Sequence, residues 1–261
     1  MNNEIKSEAR GGALIVSFNR PDHANAFTRD MANQLFNILK HCTTDHSVRA
    51  VLLKGMGGNF MGGFDEGLFA GEFNTALEHA NQLIMPYHSA IRELEAMDKP
   101  VLAAVDGRVS GPGFSFMLAC DLVLAARSVK FNCGFASNAM TPDGGCSFFL
   151  PRKIGVAKAA ELLMLSESFN SADAERWNLV NAVIDDEKLH ETAFTWIDRL
   201  AAGPTRAYGG IKKLLLKAFD QDLNAHLGLE HTYWGVSARS FDFRENLRAQ
   251  ASKRPAKFTG T

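Results

Sequence analysis

The sequence predicts an α/β layered fold, and three observations carry that prediction. Short apolar runs of strand length, at 13–18, 48–53, 101–105 and 122–126, alternate with longer segments of helical period. Two of these runs empty into glycine turns, one at Gly62-Gly63-Phe64-Asp65 and one at Gly107-Arg108-Val109-Ser110-Gly111-Pro112-Gly113. Beyond Leu150-Pro151-Arg152 the apolar spacing is helical throughout. The chain therefore divides into a core over 1–200 and a C-terminal helical region over 201–261. With no clean linker between them, the second part reads as an extension of the first.

Taken in order, 13–18 is a strand closed by the turn chemistry of Asn19-Arg20-Pro21-Asp22. Helical spacing follows over 27–39, with Thr28 placed to cap it. The strand at 48–53 leads into a loop with five glycines between Gly55 and Asp65, of the kind that lets backbone approach a ligand closely. A helix is expected over 74–97, divided or kinked at Pro86. Then come a buried strand at 101–105, a tight turn, and a buried helix over 114–119. Pro112 suits the first turn of that helix, where its missing N–H would have had no intrahelical partner. A turn between strand and helix aims free N–H groups and the positive helix end at developing negative charge. After the strand at 122–126 and the apolar Val129-Lys130-Phe131, residues 132–145 show no period and include the turn signature Thr141-Pro142-Asp143-Gly144-Gly145. Helices are expected over 157–165, 172–177, 189–200, 206–219 and 222–238.

A formal net charge of -1 gives no global field that favours nucleic acid or an acidic membrane. Four scattered cysteines build neither a disulfide framework nor a Cys-x-x-Cys metal site, which points to a reducing, cytoplasmic compartment. The first residues lack the apolar core of a signal peptide, and no run approaches membrane-spanning length. His41-Cys42-Thr43-Thr44-Asp45-His46 collects metal-competent side chains, but it sits at a helix end where histidine is ordinary, so no metal site is assigned. Ser110 has Arg108 where a nucleophile elbow needs glycine, and Cys146 reads as a buried, inert thiol.

At Asn19-Arg20-Pro21-Asp22-His23-Ala24-Asn25-Ala26-Phe27 the chain resembles the crotonase, or enoyl-CoA hydratase/isomerase, superfamily. The likeness continues through Phe60-Met61-Gly62-Gly63-Phe64-Asp65, which resembles that family's Phe-x-x-Gly-x-Asp loop. It runs on through 107–121, 141–152, 172–180 and Gly203-Pro204-Thr205, in the family's order. The resemblance implies a crotonase-like ββα spiral core with a C-terminal α-helical trimerisation region. It also implies homotrimers or hexamers built as dimers of trimers, an acyl-CoA thioester ligand, and no cofactor beyond the coenzyme A of the substrate.

By the resemblance, backbone N–H groups of Phe64 and of the residue at Pro112 would bind the thioester carbonyl. Gly62, Gly63, Asp65 and Gly111 would build the two turns that present them. His23, Ala24 and Ala26 would contact the adenine and pantetheine, and Phe135 the acyl group. Lys212, Lys213 and Lys217 are either a solvated helix face or the basic residues that reach CoA phosphates in the family. Proline has no N–H, so the second oxyanion donor is missing at Pro112. The Gly113 N–H, a water or side chain, or loss of activity would each account for it.

The two glutamates of a hydratase correspond here to Ser115 and Phe135, neither of which is a base. Asp143 remains. It matches the carboxylate of double-bond-shifting relatives, and an aspartate there can take a proton beside the thioester and return it two carbons away. Apolar neighbours, with Phe64, Phe135, Phe148 and Phe149 as candidates, would raise its pKa. The expected reaction is that of an enoyl-CoA isomerase. The alternatives are a weak or inactive acyl-CoA-binding homologue, or a specialised enzyme such as a decarboxylase or dehalogenase. A dehalogenase would require His88 to stand in for the base that Arg92 replaces.

Overall fold

The computed structural model describes residues 3–261. The chain opens with a hairpin: β1 (Ile5–Arg10) pairs antiparallel with β2 (Ala13–Phe18). β1 was not evident from the sequence because only Ile5 on it is buried, so the strand has no apolar period. Thr28 caps α1 (Arg29–Thr44) as expected, its side chain accepting from the Met31 N–H at 3.0 Å. β3 (Ala50–Gly55) lies two residues later than predicted. Arg49 sits outside the strand, and its guanidinium holds Thr205 Oγ1 and the carbonyls of Gly203 and Phe258. α2 (Phe73–Ala96) runs through Pro86 as one element and is not divided there.

β4 (Val101–Val105) is buried along its whole length. Next, the predicted tight turn contains a short strand, β5 (Arg108–Ser110). α3 (Pro112–Ala119) then starts at Pro112 itself and is buried on every side, which explains its lack of amphipathic period. β6 (Leu122–Ala126) and β7 (Lys130–Asn132) repeat the pattern of a long strand followed by a short one. α4 (Cys146–Ile154) begins well before Arg152, where the sequence first looked helical.

The remaining elements are α5 (Val156–Leu165), β8 (Phe169–Asn170), α6 (Ser171–Arg176), β9 (Ala182–Ile184), α7 (Leu189–Ala201), α8 (Thr205–Lys217), α9 (Leu223–Ala238) and α10 (Phe241–Ala251). The region beyond 150 is therefore not all helical. β8 and β9 have two and three residues, too few to show a period.

Six strands form one sheet, ordered β1-β2-β3-β4-β6-β9 and parallel from β2 onward. Parallel strands buried on both faces read as continuous apolar runs, which is why β2, β3, β4 and β6 were legible. The short strands β5-β7-β8 form a second sheet. The units β4-β5-α3 and β6-β7-α4 thus each send a longer strand to the first sheet and a short one to the second before a helix, and after β2 and β3 the second strand is reduced to the isolated bridges at Phe27–Phe64 and Met61–Val109.

The C-terminal region is tied to the core by charged side chains. Lys212 on α8, half-buried, bonds Asp121 Oδ2 at 2.9 Å and the Leu94 carbonyl, while Asp121 Oδ2 also accepts from the Val101 N–H at 2.8 Å. Lys213 pairs with Asp98 and Lys217 with Asp220. Lys212 is therefore an internal tie and not part of a solvated face. Asp242 accepts from the N–H groups of Thr259 and Gly260, which fastens the last residues against α10.

Candidate active site

Two peptide turns meet beyond the ends of β3 and β5. In the first, the Phe27 N–H donates to Gly63 O at 2.8 Å and the Asp65 N–H donates to Phe27 O at 3.0 Å. That register turns the Phe64 N–H to the opposite edge, towards β5 and α3, where it donates to no protein acceptor among the described residues. The second turn is Ser110-Gly111-Pro112-Gly113. The Ser110 N–H donates to Met61 O at 3.0 Å, locking the turns together. Gly111 caps α3 at φ +49°, in the region that favours glycine, and a side chain there would come within 3.8 Å of Gly63 Cα.

Between these turns opens a cavity of about 570 Å³, the size of a small-molecule site. Gly62, Gly63 and Phe64 form one wall, and Ser110 and Gly111 the next. Gly134, Phe135 and Asp143 close the third side. Phe69 and Met140 add apolar surface, and the exposed Glu66, Arg108 and Asn138 add polar groups.

Asp143 is the carboxylate that this cavity shares with the turns. Burial pushes its pKa up to about 6, and the hydrogen bond from Tyr87 holds it back from rising further. Tyr87 OH donates to Asp143 Oδ1 at 3.2 Å. The phenol is fully buried among the rings of Phe27, Phe64, Phe116 and His88. Burial first, and the neighbouring Asp143 second, raise its own pKa well above the usual phenol value, so it stays a donor.

Two further bonds set the Asp143 turn. Ser115 Oγ donates to the Asp143 carbonyl at 3.0 Å, and the Gly144 N–H donates to His88 Nε2 at 3.3 Å. Gly144 sits at φ +56°, and a Cβ on it would collide with the Tyr87 hydroxyl at 1.9 Å, so only glycine lets the turn close on the phenol. Tyr87 was missed in the sequence. Its signal was a phenol on the apolar face of α2, one turn from both Leu83 and Ile91, where a buried hydroxyl needs a partner.

Removing that donor has a signed consequence. A hydrogen bond to the charged form lowers a carboxyl pKa. Tyr87→Phe therefore raises the Asp143 pKa above about 6, and the rising limb of any rate carried by ionised Asp143 moves to higher pH. A pH profile of kcat/KM for the variant against the parent checks this.

Several predicted site residues lie elsewhere. The Asp65 carboxylate turns away from the cavity, pairing with Arg20 at 2.7 Å and accepting from the Gly67 N–H at 3.0 Å. Its role is to hold the Phe64 turn. Pro112 and Gly113 are buried at the start of α3 and do not line the cavity, whereas Gly111 does. His23 is exposed on a short 3-10 turn. The Ala24 carbonyl accepts from the Gly62 N–H at 2.8 Å, and the Ala26 carbonyl from Arg20 at 2.6 Å. Ala24 thus supports the first turn, and none of the three lines the cavity.

Phe64 and Phe135 line the same cavity as Asp143, but Phe148 is exposed with Arg152 stacked 3.5 Å from its ring centre. Phe149 packs over Gly145. His88 spends its Nε2 lone pair on Gly144, and burial together with nearby Arg92 lowers its pKa, so it does not stand as a base over the cavity. All four cysteines are buried thiols, and burial raises the pKa of Cys146 far from reactivity. Among the described residues no helix is long and apolar enough to cross a membrane, and no group of three or more metal-ligating side chains is assembled.

The sequence profile described as enoyl-CoA hydratase/isomerase matches residues 8–261. A 1,2-epoxyphenylacetyl-CoA isomerase of Escherichia coli (strain K12) is 34% identical over 257 residues, 98% of each chain. A 4-chlorobenzoyl coenzyme A dehalogenase of an Arthrobacter species is 29% identical, covering 85% of this chain and 80% of its own. Among solved structures, an enoyl-CoA hydratase from Bacillus anthracis superposes with a TM-score of 0.93 at 27% identity, covering 99% of this chain and 100% of that one.

Proposed function

The chain belongs to the enoyl-CoA hydratase/isomerase family and is an acyl-CoA-processing enzyme of crotonase fold, and from this premise we propose that it is an enoyl-CoA isomerase. The observation that carries the proposal is Asp143, a cavity-lining carboxylate with its pKa raised to about 6, while the two positions that hold the glutamates of a hydratase are Ser115 and Phe135 here. Ionised Asp143 takes a proton from the carbon between the thioester and a 3,4 double bond. The electron pair delocalises onto the thioester oxygen, which the Phe64 N–H stabilises, and the new carboxylic acid returns the proton at the carbon two positions on. The product is the conjugated 2-enoyl thioester. A pKa near the working pH suits a group that must take and return one proton.

The reading requires no metal and no cofactor. The isomerase activity of the Escherichia coli relative and the apolar lining of Phe64, Phe69, Phe135 and Met140 support it. The exposed Leu215, Phe219, Leu223, Leu227 and Trp234 on and around α8 and α9 support packing of further copies of the chain, as in a trimer. A specific observation also favours a second reading: Pro112 removes a donor, which suits a scaffold that binds acyl-CoA without turning it over.

One assay separates them. Given a 3-enoyl-CoA, the isomerase produces the absorbance of the conjugated 2-enoyl thioester without adding water. Tight binding by calorimetry with no turnover of any enoyl, hydroxy or aryl thioester identifies the scaffold.

A further inference from the structure

We propose that the Ser110 hydroxyl donates the second hydrogen bond to the thioester oxygen, in place of the amide that Pro112 lacks. The inference rests on the acyl-CoA reading above but not on the isomerase reaction.

The backbone around Pro112 leaves little freedom for another amide to take over. Pro112 is the first residue of α3, and the Ser115 N–H already closes the first turn onto Gly111 O at 3.1 Å. Gly113 is pressed against the neighbouring segment so closely that a Cβ on it would lie 2.6 Å from Met61 O. Rotating its N–H into the cavity would break both contacts.

Ser110 differs on each count. Its side chain lines the cavity, it is half-buried, and its hydroxyl makes no hydrogen bond to the protein among the described residues. Its backbone is held in β5, paired with Asn132 and bonded to Met61 O, so the hydroxyl is offered from a rigid strand. Two backbone approaches locate it. Ser110 Oγ would lie 3.9 Å from a Cβ on Gly63, the residue directly before the Phe64 amide, and 3.1 Å from a Cβ on Gly134. It stands between the two turns, over glycines that leave it uncovered. A hydroxyl carries one rotatable donor and can aim it at an oxygen that gains charge.

The test reads the carbonyl itself. A saturated acyl-CoA labelled with carbon-13 at the thioester carbonyl is bound to the full chain, and its stretch is measured by infrared difference spectroscopy. The expected result is a shift to lower frequency on binding that Ser110→Ala largely abolishes. Ser110→Cys, close in volume and a much weaker donor, does the same.

Turnover of a 3-enoyl-CoA falls about 10²–10³-fold in kcat in either variant, with KM little changed. Adding Pro112→Gly to Ser110→Ala restores a backbone N–H and recovers both the shift and the rate. A wild-type carbonyl at the frequency of the free ester overturns the proposal, as does a Ser110→Ala variant that keeps the wild-type shift. A Ser110-dependent shift in a protein that turns over no 3-enoyl-CoA upholds it while rejecting the isomerase.

Discussion

Asp143→Asn is expected to lower kcat for 3-enoyl-CoA isomerisation by about 10²–10⁴-fold, the range in which a positioned general base contributes. The amide keeps the shape of the carboxylate and can still accept from Tyr87 through its oxygen, so the fold and the cavity are preserved. What is lost is the ability to hold a proton between two carbons. The substrate dissociation constant is expected to change little, because the proposed binding of acyl-CoA rests on the turns and the cavity walls and not on the Asp143 charge.

The parent enzyme carries its own control in the pH profile. In the proposed isomerisation the ionised carboxylate is the active form, and the Asp143 pKa is raised to about 6. The rate therefore falls as pH drops through 6 and levels off about a unit above it, and in Asp143→Asn that limb disappears. A variant that retains parental turnover, or a parent whose rate ignores pH between 5 and 7, removes Asp143 from the chemistry.

The largest loss of stability is expected at Lys212→Met. The ammonium lies between Asp121 and the Leu94 carbonyl, with the Lys212 side chain 10% exposed and that of Asp121 25% exposed. Methionine fills much of the space but leaves the Asp121 carboxylate with the Val101 N–H and without the ammonium that bonds it directly, Lys153 acting on it only through space. Removing one partner of a buried pair costs about 3–5 kcal/mol. Partial exposure of Asp121 puts this case near the lower end, about 3 kcal/mol. Urea unfolding should show a lower midpoint with an unchanged slope. Adding Asp121→Asn removes the stranded charge and should recover part of the loss. A Lys212→Met variant as stable as the parent would show that α8 is held by its apolar contacts alone.

These two residues differ in how visible they were. Asp143 stood out because proline and two glycines frame it and the two glutamate positions are empty of carboxylates. Lys212 looked like any other lysine on a helix. Its partners lie 91 and 118 residues away in the chain, and nothing local distinguishes an ammonium that is buried from one that is solvated. Asp65 erred in the opposite direction. It belongs to a recognisable motif, yet its carboxylate serves Arg20 and the Gly67 N–H and not the cavity.

By itself the sequence determined whatever depends on neighbours along the chain. The apolar strands of the parallel sheet, the Thr28 cap, Pro112 at the first position of its helix and the two glycine turns all follow from short-range sterics and hydrogen bonding. Only the tertiary structure decided which polar groups are paired. It brought the Tyr87 phenol to 3.2 Å from Asp143, closed Gly144 over that phenol, and left the Ser110 hydroxyl without a partner among the described residues, beside the missing amide. It also made strands of two and three residues out of segments that carry no period. The physical reason is one of range. Backbone propensity acts over a few residues, whereas burial and the pairing of a side chain are set by segments that meet only once the chain has folded.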